Sequence, residues 1–438
     1  MNSIQIDEIG ELIRKVRREQ GLRLEDLADE NISPATISNI ERGVPYVHQE
    51  KIRYVLSKLR LNPEDLPELL LGEQQSMELL RFRLDSIETL LEFGQKEKSR
   101  QKLKELKVPD SHPFASRTRF LLGKSYALTG NFKRSDRMFS NAIRLERQHD
   151  HHPRSNLEAC SYYELCRSAI RQNLPEQALE YTHLGLRAFD PDGERQQIQY
   201  LLKTDRAGIL LQLSRFGESL KLVDELWKER PQIQPVRVLI QLYLLRVRLL
   251  RKTGMLQQAV ACAREGLEIA RINRDHLGTF ELWSALGDVY QSGQNWIEAE
   301  ACLELALQLD QLMENREGLI HLYNRLGALY LRRKKWEQAE EMMNRAIRLG
   351  EEGPGTPLLM ETLTLAGDLY RQTGETEKAI QRFERALQLS EKHRFREKEI
   401  EILFRLAQCH EKKDHRSFLR YMENMYRVQK ETDPEPDS

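Results

Sequence analysis

Tyr290, Tyr330 and Tyr370 stand forty residues apart, and so do Ala299, Ala339 and Ala379. The tyrosines close the stretches "SALGDVY" (284–290), "NRLGALY" (324–330) and "TLAGDLY" (364–370). The alanines precede the runs "LELALQL", "MNRAIRL" and "FERALQL". A constant spacing leaves little choice of fold. Each repeat must be the same small unit, and such a unit cannot bury its apolar face alone, so neighbours must stack. Apolar residues within each unit recur at three and four residues, the spacing of a helix face. Each unit therefore reads as a pair of helices. Gly287, Gly327, Gly367 and the three alanines are small enough to let the two helices approach. Tyr290, Trp296 and Phe383 are large enough to fill the gap to the next unit.

The order Leu-Gly-x-x-Tyr, Gly, Trp or Phe, Ala, Phe-x-x-Ala resembles the tetratricopeptide repeat. The same register extends backward through Ala259 with Gly254, Ser219 with Phe216 and Ala178 with Leu165, and residues 121–143 match it strongly. Residues 76–107 read as a degenerate first pair and 400–430 as a capping last pair, giving about nine pairs over 76–430. Arrays of this class curl into a right-handed superhelix with a concave inner face. The first helix of each pair lines that face. The register points Glu164, Arg167, Asp205, Arg248, Asp288, His321, Asn324, Arg325, Asp368 and Gln408 inward. Such a mixed polar set suits an extended peptide: an Asn amide can pair with a peptide's backbone, and Arg and Asp can meet its side chains or termini. Each of these residues taken singly also reads as part of a solvated helix face.

The first sixty-two residues follow another pattern. Ile9, Leu12, Ile13 and Val16 mark a helix that Gly21 stops, and Leu24, Leu27 and Ala28 mark a short second one. After the turn "DENI" comes "SPATISNIERG" (33–43). Ser33 suits an N-cap, Pro34 suits the first helical position, and Gly43 suits the end. Ile37 and Ile40 point inward. A fourth helix runs from about His48 to Leu59. Two short helices joined by a tight turn form a helix-turn-helix pattern, whose second helix reads DNA. Pro34, Ala35, Thr36, Ser38 and Asn39 would face the bases, with Asn39 suited to an adenine edge. Lys15, Arg18, Arg42, Lys51 and Arg53 would contact phosphates. Residues 1–75 hold ten Lys and Arg against fourteen Asp and Glu, a net of −4, whereas residues 33–60 are net +3. Phosphate neutralisation supplies much of DNA affinity, so one such domain binds weakly and a dimer is expected. The alternative is a small helical docking domain.

Lys and Arg total 68, as do Asp and Glu, so the chain as a whole is no polyanion binder. No run of 18 apolar residues occurs and "MNSIQIDEIG" does not read as a signal peptide, so a cytoplasmic protein without membrane association is expected. Cys160, Cys166, Cys262, Cys302 and Cys409 are scattered, form no CxxC, and read as core residues. Residues 63–75 read as a linker and the acidic 431–438 as a disordered tail. "VPDSHPFA" (108–115) and "GEEGPGTP" (350–357) read as loops. The histidines of "QHDHHPR" (148–154) match no metal-ligand spacing. Without a nucleophile–base motif, phosphate loop or metal cluster, the chain reads as a non-enzyme that needs no cofactor.

Residues 9–60 resemble the phage-repressor type of helix-turn-helix. The resemblance implies an ion pair between Arg17 and Glu41. It also implies a phosphate-gripping Gln at the start of the second helix, where this chain has Leu24. The turn, one residue shorter than usual, is similar to that of peptide-sensing regulators of Gram-positive bacteria. The order of a helix-turn-helix, a short connection and a long tetratricopeptide array resembles that family over nearly the whole chain. Its members include Rap, Rgg, NprR, PlcR, PrgX and AimR, and the domain order here is most similar to NprR. The resemblance implies a cytoplasmic homodimer or higher oligomer on a palindromic operator. A short signalling peptide in the concave face would switch DNA binding. It also leaves open a regulator that acts by binding a response regulator or draining its phosphate; Gln95 and Gln101 are present near the array's start, where that activity needs a Gln or acid. A plain scaffold is the third alternative.

Overall fold

The structure, a computed structural model, describes residues 6–44, 47–148, 155–309, 316–352 and 357–432. It is helical throughout, with no strand among the described residues and a single isolated bridge between Asp29 and Ile32. The chain divides into two compact units, residues 1–168 and 169–438. The histidines within 149–154, the centre of the 350–357 loop and the tail from 433 lie outside the described residues.

The first unit opens with α1 (Ile6–Glu19), α2 (Leu24–Leu27), α3 (Pro34–Glu41) and α4 (Gln49–Lys58). The Ser33 hydroxyl accepts from the Thr36 amide and Pro34 sits in the first turn, as the sequence predicts. Gly43 takes φ +67°, and the Val44 amide reaches back to the Asn39 carbonyl, closing α3. Ile13, Ile37, Ile40, Val55 and Leu56 are fully buried in one core. Leu66 and Leu70 join that core, and both belong to α5 (Leu66–Glu92). The stretch read as a linker is therefore helical from Leu66 onward. Pro67 falls in the first turn, where no amide is needed, and Gly72 is carried inside a 27-residue helix. The unit continues through α6 (Lys96–Glu105), α7 (Ala115–Ala127), α8 (Phe132–Gln148) and α9 (Leu157–Arg171). Helices α5 and α6 pack as a pair, as do α7 and α8.

The second unit carries α10 (Pro175–Ala188), α11 (Ile198–Gln212), α12 (Phe216–Glu229), α13 (Val236–Lys252), α14 (Leu256–Ile272) and α15 (His276–Ser292). It ends with α16 (Trp296–Leu309), α17 (Arg316–Arg332), α18 (Trp336–Glu351), α19 (Pro357–Gln372), α20 (Thr376–His393), α21 (Arg396–His410) and α22 (His415–Thr432). The pairs keep one turn between their helices. Ser214, Gly254, Gln294, Lys334 and Gly374 all take positive φ, forty residues apart. At each of them the next residue's amide returns to a carbonyl five residues back, as Asn295 does to Tyr290 and Lys335 to Tyr330. The motif tyrosine thus anchors the turn with its carbonyl. Tyr330 and Tyr370 also tie repeats together, donating their hydroxyls to Glu304 of α16 and Glu340 of α18.

Inside each pair the small residues set the helix distance. Ala259, Ala299, Ala339 and Ala379 are fully buried. A Cβ on Gly367 would lie 2.4 Å from the Phe383 ring, which fills that space completely. The five cysteines are buried and none forms a disulfide. Burial pushes the Cys262 thiol up to about 12 and Cys302 to about 11, so both behave as core groups and not as nucleophiles.

Candidate ligand groove and nucleic-acid face

Within the second unit, α11 touches α13, α13 touches α15, and α17 touches α19, each pair skipping the helix between them. The second helices reach no comparable packing with one another among the described residues. The first helices are therefore the crowded inner layer. Their polar residues form rows at the repeat spacing. Gln241, Glu281, His321, Glu361 and Glu401 make one row, forty residues apart, and Arg248, Asp288, Asp368 and Gln408 lie on another, two helical turns on.

Most charges in these rows are paired across neighbouring first helices. Arg237 meets Glu281 at 2.6 Å, Arg325 meets Asp288 at 3.3 Å, and Arg405 meets Asp368 at 3.1 Å. Glu401 instead pairs within its own helix, with Lys398 and Arg405 at 2.9 and 3.0 Å. Three titratable groups hold no ion pair or hydrogen bond among the described residues: Arg248 on α13, His321 on α17 and Glu361 on α19. All three are exposed to solvent. Even so, the surrounding helices perturb them. Burial, then the nearby Arg325, lowers the proton affinity of Arg248; burial, then Arg325 and Arg248, lowers that of His321. Burial raises Glu361 and also Glu281. Groups that touch water and are also desolvated by protein line a recess.

The floor of the inner layer holds a second set. Thr204, Ser284 and Asn324 occupy the same repeat position and are all buried. Thr204 Oγ1, Ser284 Oγ and Asn324 Nδ2 have no hydrogen-bond partner among the described residues. Asn324 Oδ1 accepts from the Thr362 hydroxyl at 2.8 Å. An unsatisfied buried polar group costs about 1–3 kcal/mol.

Of the inward residues expected from sequence, the structure brings Arg248, Asp288, His321, Asn324, Arg325 and Asp368 into neighbouring positions of this layer. Asn324 is buried at the seam between α17 and α19, where the sequence suggested an open position. Asp205 is half-buried on α11, and Gln408 is exposed on α21. Glu164 and Arg167 lie on α9 in the first unit, with the Arg167 guanidinium over the Tyr163 ring at 5.8 Å. Sequence reasoning missed Glu281, Glu361 and Glu401, although the forty-residue period through His321 marks all three.

In the first unit, Pro34, Ala35, Asn39 and Arg42 are exposed on α3, and Thr36 and Ser38 are half-buried. The expected ion pair is present. Arg17 Nε lies 2.6 Å from Glu41 Oε1 and Arg17 Nη2 2.9 Å from Oε2, while Nη1 donates to the Leu22 carbonyl. The hydrogen bond to Glu41 raises the Arg17 proton affinity. This pair fixes α3 against α1. A clamp from α4 holds the short turn before α3: Lys58 and Tyr54 both bond Asp29, and Lys51 donates to the Asn31 carbonyl. These bonds hold the Asp29 carboxyl far below the usual carboxylate range, Lys58 contributing most. Lys51 is thus already engaged in the turn, and Lys15 lies 4.0 Å from Glu19. Arg18, Arg42 and Arg53 are exposed with no ion pair among the described residues.

Residues 318–392 match the tetratricopeptide repeat family. No curated protein matches the sequence. Among solved structures, a Rap protein complexed with Competence and Sporulation Factor is similar over 81% of this chain and 98% of its own, at 13% identity and a TM-score of 0.58. The apo form of RapI is similar over 82% and 99%, at 12% identity and a TM-score of 0.54. A signal transduction ATPase with a tetratricopeptide sensor from Pyrococcus horikoshii is similar over 97% and 64%, at 13% identity and 0.53. These likenesses show the fold, an all-α tetratricopeptide-repeat superhelix. No helix among the described residues is long and apolar enough to cross a membrane.

Proposed function

We propose that the chain is a peptide-sensing regulator: a short peptide binds the inner layer of the repeats, and the N-terminal domain binds DNA. One observation carries the peptide reading. First helices α13, α17 and α19 present Arg248, His321 and Glu361, exposed groups without an ion pair or hydrogen bond among the described residues, that a ligand would satisfy. Neighbouring helix axes lie about 10 Å apart, so four first helices from α13 to α19 suit an extended peptide of roughly five to nine residues. The Rap protein structure with its bound factor supports the same class of ligand. Among the described residues, nine helix pairs from α5 to α22 follow the four short helices α1 to α4, an order that suits a sensing array behind a small N-terminal domain. No catalytic constellation enters this reading.

The DNA reading rests on the capped, exposed α3 and the Arg17–Glu41 pair that sets its angle. Its test is recovery of sheared genomic DNA by the full chain, beside a variant with Asn39→Ala and Arg42→Ala. A few two-fold sites, absent with the variant, support it. Equal recovery by both, with or without peptide-rich culture extract, would favour a docking role and a protein partner such as a response regulator. Asn324→Ala is expected to weaken peptide binding and to leave peptide-free DNA binding intact; unchanged affinity in calorimetry would remove Asn324 from the site.

A further inference from the structure

Ion pairing within the groove leaves a specific remainder, and that remainder describes the ligand. We propose that the bound peptide carries an acidic group seated at Arg248 beside Arg325 and a basic group seated at Glu361, with its main chain crossing α15 and α17 between them. This rests on the peptide-binding reading above.

The argument begins with what is already satisfied. Arg237, Arg325, Arg405 and Lys398 each hold a carboxylate from this chain, and Glu281, Asp288, Asp368 and Glu401 each hold a cation. Of the charged residues in the two rows, one lasting cation, Arg248, and one anion, Glu361, hold no such pair among the described residues. Arg248 on α13 lies near Arg325 and also near Glu281 and Asp288, and Glu361 on α19 lies near Lys398 and Arg325 as well as Glu401, yet neither group holds an ion pair or hydrogen bond among the described residues. A ligand acid can pair with the first and a ligand base with the second. His321, between them on α17, is held towards its neutral form and adds no repulsion for either. The acidic end is therefore directed to the earlier repeats and the basic end to the later ones.

Helices α15 and α17 lie between those that carry Arg248 and Glu361 in the repeat order. A spacing of about 10 Å per helix equals three residues of extended chain, and the long Arg and Glu side chains shorten the span, so one strand of roughly five to nine residues can reach both charges.

The test uses the full chain and a synthetic mixture of random heptapeptides with both ends free. Bound peptides are sequenced by mass spectrometry and the best are titrated by calorimetry. Peptides selected by the wild type are expected to hold one acidic and one basic group. Arg248→Gln should weaken them by about tenfold to a hundredfold and abolish only the acidic preference. Glu361→Gln should do the same for the basic preference. Both side chains are exposed, so neither change empties the core. Amidated and acetylated copies then tell whether each group is a terminus or a side chain. If selected peptides bind both variants as tightly as the wild type, the charge register is wrong although the groove binds peptide. If nothing is retained by the wild type, the peptide-binding reading falls with it.

Discussion

His321 shows how far one residue's chemistry is set by its neighbours. Burial comes first, then Arg325 and Arg248, and all three disfavour the imidazolium. The sign follows: the folded chain takes up this proton at a lower pH than the unfolded chain, so the difference costs stability as pH falls below about 6.5 and is absent above it. In an NMR titration the His321 midpoint should lie below 6.5 and should rise in Arg325→Gln. A midpoint that ignores Arg325 would mean the two side chains do not share a recess. At this scale the sequence told direction better than depth. The register pointed Asn324 inward, but only the packing of α17 on α19 decides that it is buried against Thr362. Glu281 and Glu361 are legible from the forty-residue period through His321, but they lie more than two helical turns before the motif tyrosine, outside the recurring core of the repeat pattern. The Arg17–Glu41 pair was legible from the resemblance alone. Because it is buried, removing one partner strands the other; Glu41→Ala should cost about 3–5 kcal/mol in the N-terminal domain, seen as an early unfolding step.

The forty-residue turn is the element that holds the array together, and it makes two opposite predictions. Gly254 and Gly374 adopt positive φ without strain, but Lys334 adopts φ +57° with a side chain. Lys334→Gly should therefore stabilise the second unit by about 0.5–1 kcal/mol, read as a raised denaturation midpoint, whereas Lys334→Ala should not. Gly367 presents the converse. Its missing Cβ is what allows Phe383 to close the pair, so Gly367→Ala should destabilise by about 1–3 kcal/mol, with Phe383→Leu partly restoring the loss. Small residues at a fixed spacing are visible in sequence, and this part of the fold was read correctly from them. The 63–75 stretch was not. Two prolines and a glycine suggested a linker, but Pro63 precedes the helix, Pro67 falls in its first turn, and Leu66 and Leu70 gain burial in the N-terminal core. Which side of a helix start a proline falls on is a matter of one turn, and local composition does not resolve it.

For the whole molecule, net charge sets the problem. Residues 1–75 carry −4, and of the five basic residues expected at phosphates only Arg18, Arg42 and Arg53 are exposed without an ion pair or hydrogen bond among the described residues. Each phosphate neutralised contributes about 0.9 to the slope of log affinity against log salt. A single copy with about three contacts should then show a slope near −3 and bind weakly; two copies on a two-fold site should show roughly twice that. Helix α5 offers a surface on which two copies could pair. Leu71, Phe82 and Phe93 are 55%, 69% and 78% exposed and recur every eleven residues, three helical turns, so they share one side. The spacing is symmetric about Phe82, so an antiparallel pairing of two such helices would set Phe82 on its own copy and Leu71 on Phe93. Phe82→Glu should therefore halve the salt slope and give a monomer in sedimentation, with its helical content unchanged. A variant that keeps both the dimer and the full slope would place the pairing surface elsewhere on the chain. A wild-type protein that is monomeric on DNA with a slope near −3 would show that one copy of this net-acidic segment suffices.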